Sequence, residues 1–198
     1  MTFSFVTPAY NNPAQVKKLL DSIRPEAAKD PSLEVIVVDD CSPNEGLKKV
    51  VSESGFARYI RLDTNSGPAK ARNVGGMAAK NDLIIFVDSD VILNQDTLSR
   101  IREKFSDPKV DILGGEYDLE PANPSVGTRF KSLMVASWRP RENYVTVFLT
   151  RLGVIKKDIF VKSGGFDTNL TTASVEDYEF GRRLMASGYT MYYDENIT

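Results

Sequence analysis

The chain has no histidine, one cysteine and one tryptophan among its 198 residues. Without imidazole and with a single thiol, a zinc site has almost nothing to draw on, so any bound metal must be held by oxygen. Cys41 has no intramolecular partner. No disulfide supports the fold, and a reducing, cytoplasmic setting is the expectation, either free or at the cytoplasmic face of a membrane. The N-terminal MTFSFVTPAYNN carries neither a basic segment nor a long apolar one, and no apolar run reaches the roughly 18 residues that span a bilayer. Membrane association would have to come through segments outside this sequence. Charge of one sign is also missing: 25 basic and 27 acidic residues leave a formal net charge of -2. That excludes a general attraction to nucleic acid or anionic lipid, so an anionic ligand must be held locally. There is no G-x-x-x-x-G-K-[ST] loop and no G-x-G-x-x-G after the first strand, which removes support from P-loop and dinucleotide-binding readings.

What is present is an alternation of buried strands and amphipathic helices. Thr2–Thr7 is β-rich and Pro8 is expected to end it. Pro13 through Arg24 places Val16, Leu19, Leu20 and Ile23 at helical spacing. LEVIVV (33–38) reads as a continuous buried strand, Glu45–Ser54 as a helix, ARYIRL (57–62) as a short strand, Gly67–Lys80 as a helix and LIIFV (83–87) as a third strongly buried strand. Unbroken apolar strands between amphipathic helices predict an α/β fold, a mostly parallel, Rossmann-like sheet covered on both faces. After an expected helix at Asp96–Phe105 the pattern becomes richer in Gly and Pro, with mixed segments around Trp138 and over 144–155. Residues 175–186 then recover a helical pattern, capped by Gly188 and followed by the strand TMYYD. The length predicts one domain, 1–198, with a nucleotide-binding half at 1–95 and an acceptor-binding half at 96–198. Because Thr198 follows directly on the last strand, a C-terminal truncation is expected.

In open parallel sheets ligands bind beyond the carboxyl ends of the strands. VTPAYNN, VVDDCSPN and FVDSD leave three such ends, placing Asp39, Asp40, Asp88 and Asp90 on one edge. Like charges there repel unless a cation sits among them, and a divalent metal is the economical one. Asp88 and Asp90, two apart at a strand end, present two hard oxygen ligands to one side and fit Mg²⁺ or Mn²⁺, which retain water and accept substrate phosphates. Either could instead cap a turn or the next helix. Asp40 could accept from an N–H on a nucleobase edge and so tell uracil-like from cytosine-like faces; it or Ser42 could equally cap the helix near Glu45. NSGPAKARNVGG (65–76) starts a helix at Gly67 and Pro68, with Lys70 and Arg72 in its opening turns. That combination suits phosphate oxygens, while the small residues also allow close helix packing.

Asp177, in SVEDYEFGRRL (174–184), shares a helical stripe with Phe180, Gly181 and Leu184, so it faces protein or a cleft. Ser174-x-x-Asp177 is also a capping-box pattern, and the two roles can coexist. Trp138 and Arg139, within 115–155, are the candidates for acceptor contacts.

Taken in order, VTPAYNN, VVDDCSPN, NSGPAKARN, FVDSD, GGFDTNL and VEDYEFGRRL resemble family 2 glycosyltransferases of the GT-A fold over essentially residues 2–193. The resemblance implies an inverting transfer from a nucleotide diphosphate sugar, a UDP-sugar by expectation, to an acceptor hydroxyl on a glycan, lipid-linked or protein acceptor. It lays the nucleotide over Pro8, Ala9 and Tyr10, gives base reading to Asp40, and makes Asp88, Ser89 and Asp90 the D-x-D motif for donor and metal. Asp177 becomes the general base. Gly67, Lys70 and Arg72 complete the expected donor site. Family members commonly continue beyond the last strand with a segment that closes over the diphosphate. The competing readings are a nucleotidyltransferase on a similar sheet, whose Gly-rich basic signature after the first strand is missing here, and a non-catalytic sugar-nucleotide-binding module.

Overall fold

A computed structural model describes residues 1–116, 127, 130, 144–170 and 175–198; Trp138, Arg139 and Ser174 lie outside them. β1 (Phe3–Ala9), β2 (Glu34–Asp39), β3 (Ala57–Arg61) and β4 (Leu83–Val87) alternate with α1 (Pro13–Lys29), α2 (Gly46–Ser54) and α3 (Pro68–Ala78). These four strands are mutually parallel, β1 lying between β2 and β4. After α4 (Thr97–Lys104) come β5 (Ile112–Gly114), β6 (Leu152–Lys156), α5 (Lys157–Ser163), α6 (Val175–Ala186) and β7 (Met191–Tyr193). They complete a seven-stranded sheet in the order β3-β2-β1-β4-β6-β5-β7, with β6 antiparallel to both neighbours.

Successive strand residues point to opposite faces. Phe3, Phe5, Val35, Val37, Leu83 and Ile85 therefore meet α1, α2 and α4 on one side, while Val6, Ile36, Val38, Ile84 and Phe86 meet α3, α5 and α6 on the other. At β2 and β4 both faces are buried, which is why EVIVV and LIIFV show no polar alternation. On the second face Phe86, Phe148, Phe160, Phe166 and Phe180 pack edge-on or tilted, with Phe166 and Phe180 centroids 4.5 Å apart. This cluster seats α5 and α6 beside β4. The tight α3 packing read from the sequence is real: a Cβ on Gly75 would lie 2.4 Å from Val6 Cγ1, and one on Gly76 2.4 Å from Phe160 Cε1.

Two elements run on past a proline at which, or just before which, the sequence reading ends them. β1 runs through Pro8 to Ala9, because pairing with β4 ends at Val6 and a missing N–H beyond that point breaks no bond on that side. α1 continues past Pro25 to Lys29, with Ala27 packed against the same core as Val16, Leu19, Leu20 and Ile23, which offsets the one backbone bond the proline removes. Among the described residues no helix is long and apolar enough to cross a membrane.

Candidate donor and catalytic site

The carboxyl ends of β1, β2 and β4 lie together, as a parallel sheet requires, and frame a cleft of about 370 Å³. Pro8, Ala9 and Tyr10 form one wall, Asp40, Pro68 and Arg72 another, and Asp88, Ser89 and Asp90 the floor. Tyr10 is half exposed at the lip, leaving a ring face for an aromatic ligand. Gly67 and Lys70 do not line the cleft. A larger hollow of about 720 Å³, around Met1, Phe105 and Val161, opens at the opposite end of the strands, away from these acids.

The four edge acids have four different surroundings. Asp39 is fully buried: one oxygen accepts from the Ser42 amide (2.8 Å) and hydroxyl (2.6 Å), the other from Tyr59 (2.5 Å) and Arg61 (3.0 Å). It fixes the turn after β2 and leaves nothing for a ligand. Asp40, also buried, accepts from the backbone N–H groups of Ser66 (2.7 Å) and Gly67 (2.8 Å). The Gly67 amide at the start of α3, expected to face phosphate, is thus already engaged. Asp88 is one-third exposed and is held by Arg72. Asp90 is exposed and has no partner among the described residues. Repulsion between these acids is therefore relieved in part by Arg61 and Arg72, and among the described residues only Asp90 is left without a donor. Ser89, between the last two, is fixed from α1, the Asn12 amide donating to its hydroxyl at 2.6 Å.

Arg72 is almost completely buried and divides its fork between two carboxylates. Nη2 donates to Asp88 Oδ1 at 2.9 Å and Nη1 to Glu176 Oε1 at 3.2 Å, with Phe166 5.7 Å beneath the guanidinium. Lys70, the other expected cation, is exposed. Glu176 escaped the sequence reading, which placed Asp177 on the buried stripe of α6; the residues that fill that stripe are Glu176, Phe180, Gly181 and Leu184. The signal was available, because Glu176 stands four and eight residues before Phe180 and Leu184.

Asp177 is half-buried at the first turn of α6, and its Oδ1 accepts from the Tyr178 amide at 2.7 Å. Burial, followed by the adjacent Glu176 charge, pushes its carboxyl up to about 6 against the pull of the Tyr178 amide and Arg72. A carboxylate with that affinity for a proton is a better base than an ordinary aspartate and is still mostly ionised at neutral pH.

Among the described residues no three acids, cysteines or histidines gather as a metal cage. The oxygens present fit a different kind of site. Asp88 offers Oδ2 and Asp90 both of its oxygens at the mouth of a polar cleft, a two-carboxylate set that a hard divalent ion completes with water and ligand phosphate.

Residues 4–166 match the sequence model described as "Glycosyl transferase family 2". An uncharacterized glycosyltransferase of Haemophilus influenzae is 30% identical over 193 residues, covering 92% of this chain and 61% of that protein. The poly(ribitol-phosphate) beta-N-acetylglucosaminyltransferase TarS of Staphylococcus aureus is 34% identical over 116 residues, 57% of this chain and 20% of TarS. A structure of TarS 1–349 in complex with UDP-GlcNAc superposes with a TM-score of 0.73 at 23% identity, covering 99% of this chain and 56% of that one. The mannosyltransferase PcManGT from Pyrobaculum calidifontis, solved in complex with GDP-Man and Mn2+, gives 0.75 at 20% identity over 98% and 55%. The fold is thus that of the GT-A glycosyltransferases. The chain spans about three-fifths of the H. influenzae relative and a fifth of TarS.

Proposed function

The chain belongs to glycosyl transferase family 2, and from that premise we propose that it moves a sugar from a nucleoside diphosphate sugar, a UDP-sugar in the first instance, to an acceptor hydroxyl with inversion. One observation carries the reading. Arg72 ties Asp88 at the floor of the donor cleft to Glu176, the neighbour of Asp177, which among the described residues is the one carboxyl strongly raised toward neutral pH, so donor acids and base belong to a single site.

In this reading the base stacks on Tyr10, and the diphosphate lies over the Asp88–Asp90 turn. A divalent ion bound there would neutralise the charge that grows on the departing diphosphate. Asp88 and Asp90 would hold it. Asp177 takes the acceptor hydroxyl proton as the new C–O bond forms at the anomeric carbon and the bond to the diphosphate breaks from the opposite face. One displacement needs no carboxylate nucleophile, in contrast with a double-displacement glycosidase. The names of the relatives favour this over nucleotidyl transfer, since they are glycosyltransferases. The structural neighbours solved with UDP-GlcNAc and with GDP-Man and Mn2+ support a nucleotide sugar and a divalent ion as the ligands to try first.

The direct test is calorimetric titration of UDP and of GDP with and without Mn²⁺, followed by a transfer assay on the full chain. Binding of UDP strengthened by Mn²⁺ is expected. UDP binding that excess chelator leaves unchanged would remove the metal from the proposal.

Base choice is assigned to Asp40. Its two oxygens accept one backbone N–H each, leaving about two of their roughly four lone-pair sites for an N–H on the pyrimidine edge. Asp40→Ala should narrow the preference for uridine over cytidine diphosphate. It should also lower stability by about 1–3 kcal/mol, because the Ser66 and Gly67 amides lose their acceptor. Unchanged discrimination would leave Asp40 with the loop-holding role alone.

A further inference from the structure

Arginine and carboxylate commonly pair in parallel, two N–H groups on two oxygens of one acid. Arg72 does not. It spends one arm on Asp88 and the other on Glu176, so that among the described residues the Asp88 carboxylate receives a single donor, on Oδ1, and its Oδ2 is left to the cleft. Phe166 beneath the guanidinium and the near-complete burial of Arg72 hold this split arrangement. The split also has a cost. Arg72 Nε and Glu176 Oε2 are both buried with no hydrogen-bond partner among the described residues, an outcome that is unfavourable unless the divided grip serves something else.

We propose that Glu176 is a positioning residue for the donor site: by drawing one arm of Arg72 away, it prevents the guanidinium from closing on both oxygens of Asp88 and so keeps Asp88 Oδ2 free as a ligand for the diphosphate-bound metal. This rests on the donor reading given above and adds to it a role for a residue that touches neither metal nor nucleotide. Its consequence runs against intuition. Removing an acid from α6 should weaken metal-dependent binding at the end of β4, because the freed Arg72 then takes the second oxygen of Asp88.

The test is calorimetric on the full chain, with UDP plus Mn²⁺ and with uridine alone as probes. Glu176→Ala is expected to weaken binding of UDP with Mn²⁺ by about 10-fold or more and that of uridine by less than about 2-fold. Glu176→Gln keeps an acceptor for Nη1 and should lose less than about 3-fold. Arg72→Lys added to Glu176→Ala should recover most of the loss, since an ammonium is a point donor and cannot span two oxygens as the guanidinium fork does. Glu176→Ala binding UDP with Mn²⁺ as tightly as the unmodified chain would overturn the proposal. So would equal losses of uridine and metal-dependent binding in Glu176→Ala and Glu176→Gln, or a double variant no better than Glu176→Ala. An unmodified chain whose UDP binding ignores Mn²⁺ would instead overturn the metal-dependent donor site itself, and this proposal with it.

Discussion

Asp177→Asn is expected to leave folding and donor binding intact and to lower sugar transfer by a factor of about 10² or more. The substitution keeps size and keeps an oxygen to accept from the Tyr178 amide. What it removes is the proton acceptor. Stability sharpens the distinction from a helix-start role. The Asp177 carboxyl sits at about 6 in the folded protein against an ordinary 3.8, so the folded state holds its proton more tightly than the unfolded chain does. The stability this proton confers is full below the ordinary value and is lost as pH rises from there through about 6. At neutral pH the ionised side chain therefore opposes folding, and the Asn variant should melt at the same temperature or higher. A residue serving only as a cap predicts the reverse, a loss of about 1 kcal/mol with the chemical step unharmed. The transfer rate of the unmodified enzyme should climb with pH to a plateau through an apparent value near 6, and that limb should be absent from the residual activity of the variant. Transfer at close to the unmodified rate would show that Asp177 is not the base.

The first half of the fold was legible because its strands and helices carry unmixed signals. LIIFV is apolar without interruption since both sheet faces are covered at β4, and Gly67-Pro68 starts α3 where the sequence places it. Parallel pairing then made one prediction from three strand ends, and the cleft lies where they converge. The second half was less legible. β5 has three residues, too few for a periodicity, and β6 overlaps the end of the mixed segment 144–155, so nothing local announced that it would insert antiparallel between β4 and β5. Within the site, sequence could place acids but not their partners. Asp39 and Asp40 are neighbours in VVDD, yet one is consumed by Tyr59, Arg61 and Ser42 and the other by the start of α3, through contacts 3 to 27 positions away. The expected phosphate role of Arg72 met the same limit, because its second partner stands 104 residues along the chain.

Asp90→Asn is expected to weaken binding of UDP with Mn²⁺ by about 10²-fold, at least as much as loss of an outer-shell partner costs a metal site. Asp90 is the one edge acid that is exposed and has no donor among the described residues, in a turn whose middle residue, Ser89, is pinned by Asn12. A carboxylate whose charge no described residue offsets gains most from a divalent ion. The three probes should then separate. Uridine, which reports on the Tyr10 and Asp40 wall, should bind as before. UDP with Mn²⁺ should lose the interaction that runs through the ion. UDP without metal should bind equally well or more tightly, since the substitution deletes a negative charge facing the diphosphate. Simple unfolding would weaken all three together, and a direct hydrogen bond from the donor to Asp90 would weaken UDP whether or not metal is present. An opposite sign for the metal-free and Mn²⁺-bound diphosphate is therefore the signature of an acid that acts through a bound cation, and equal losses for both would remove Asp90 from that role.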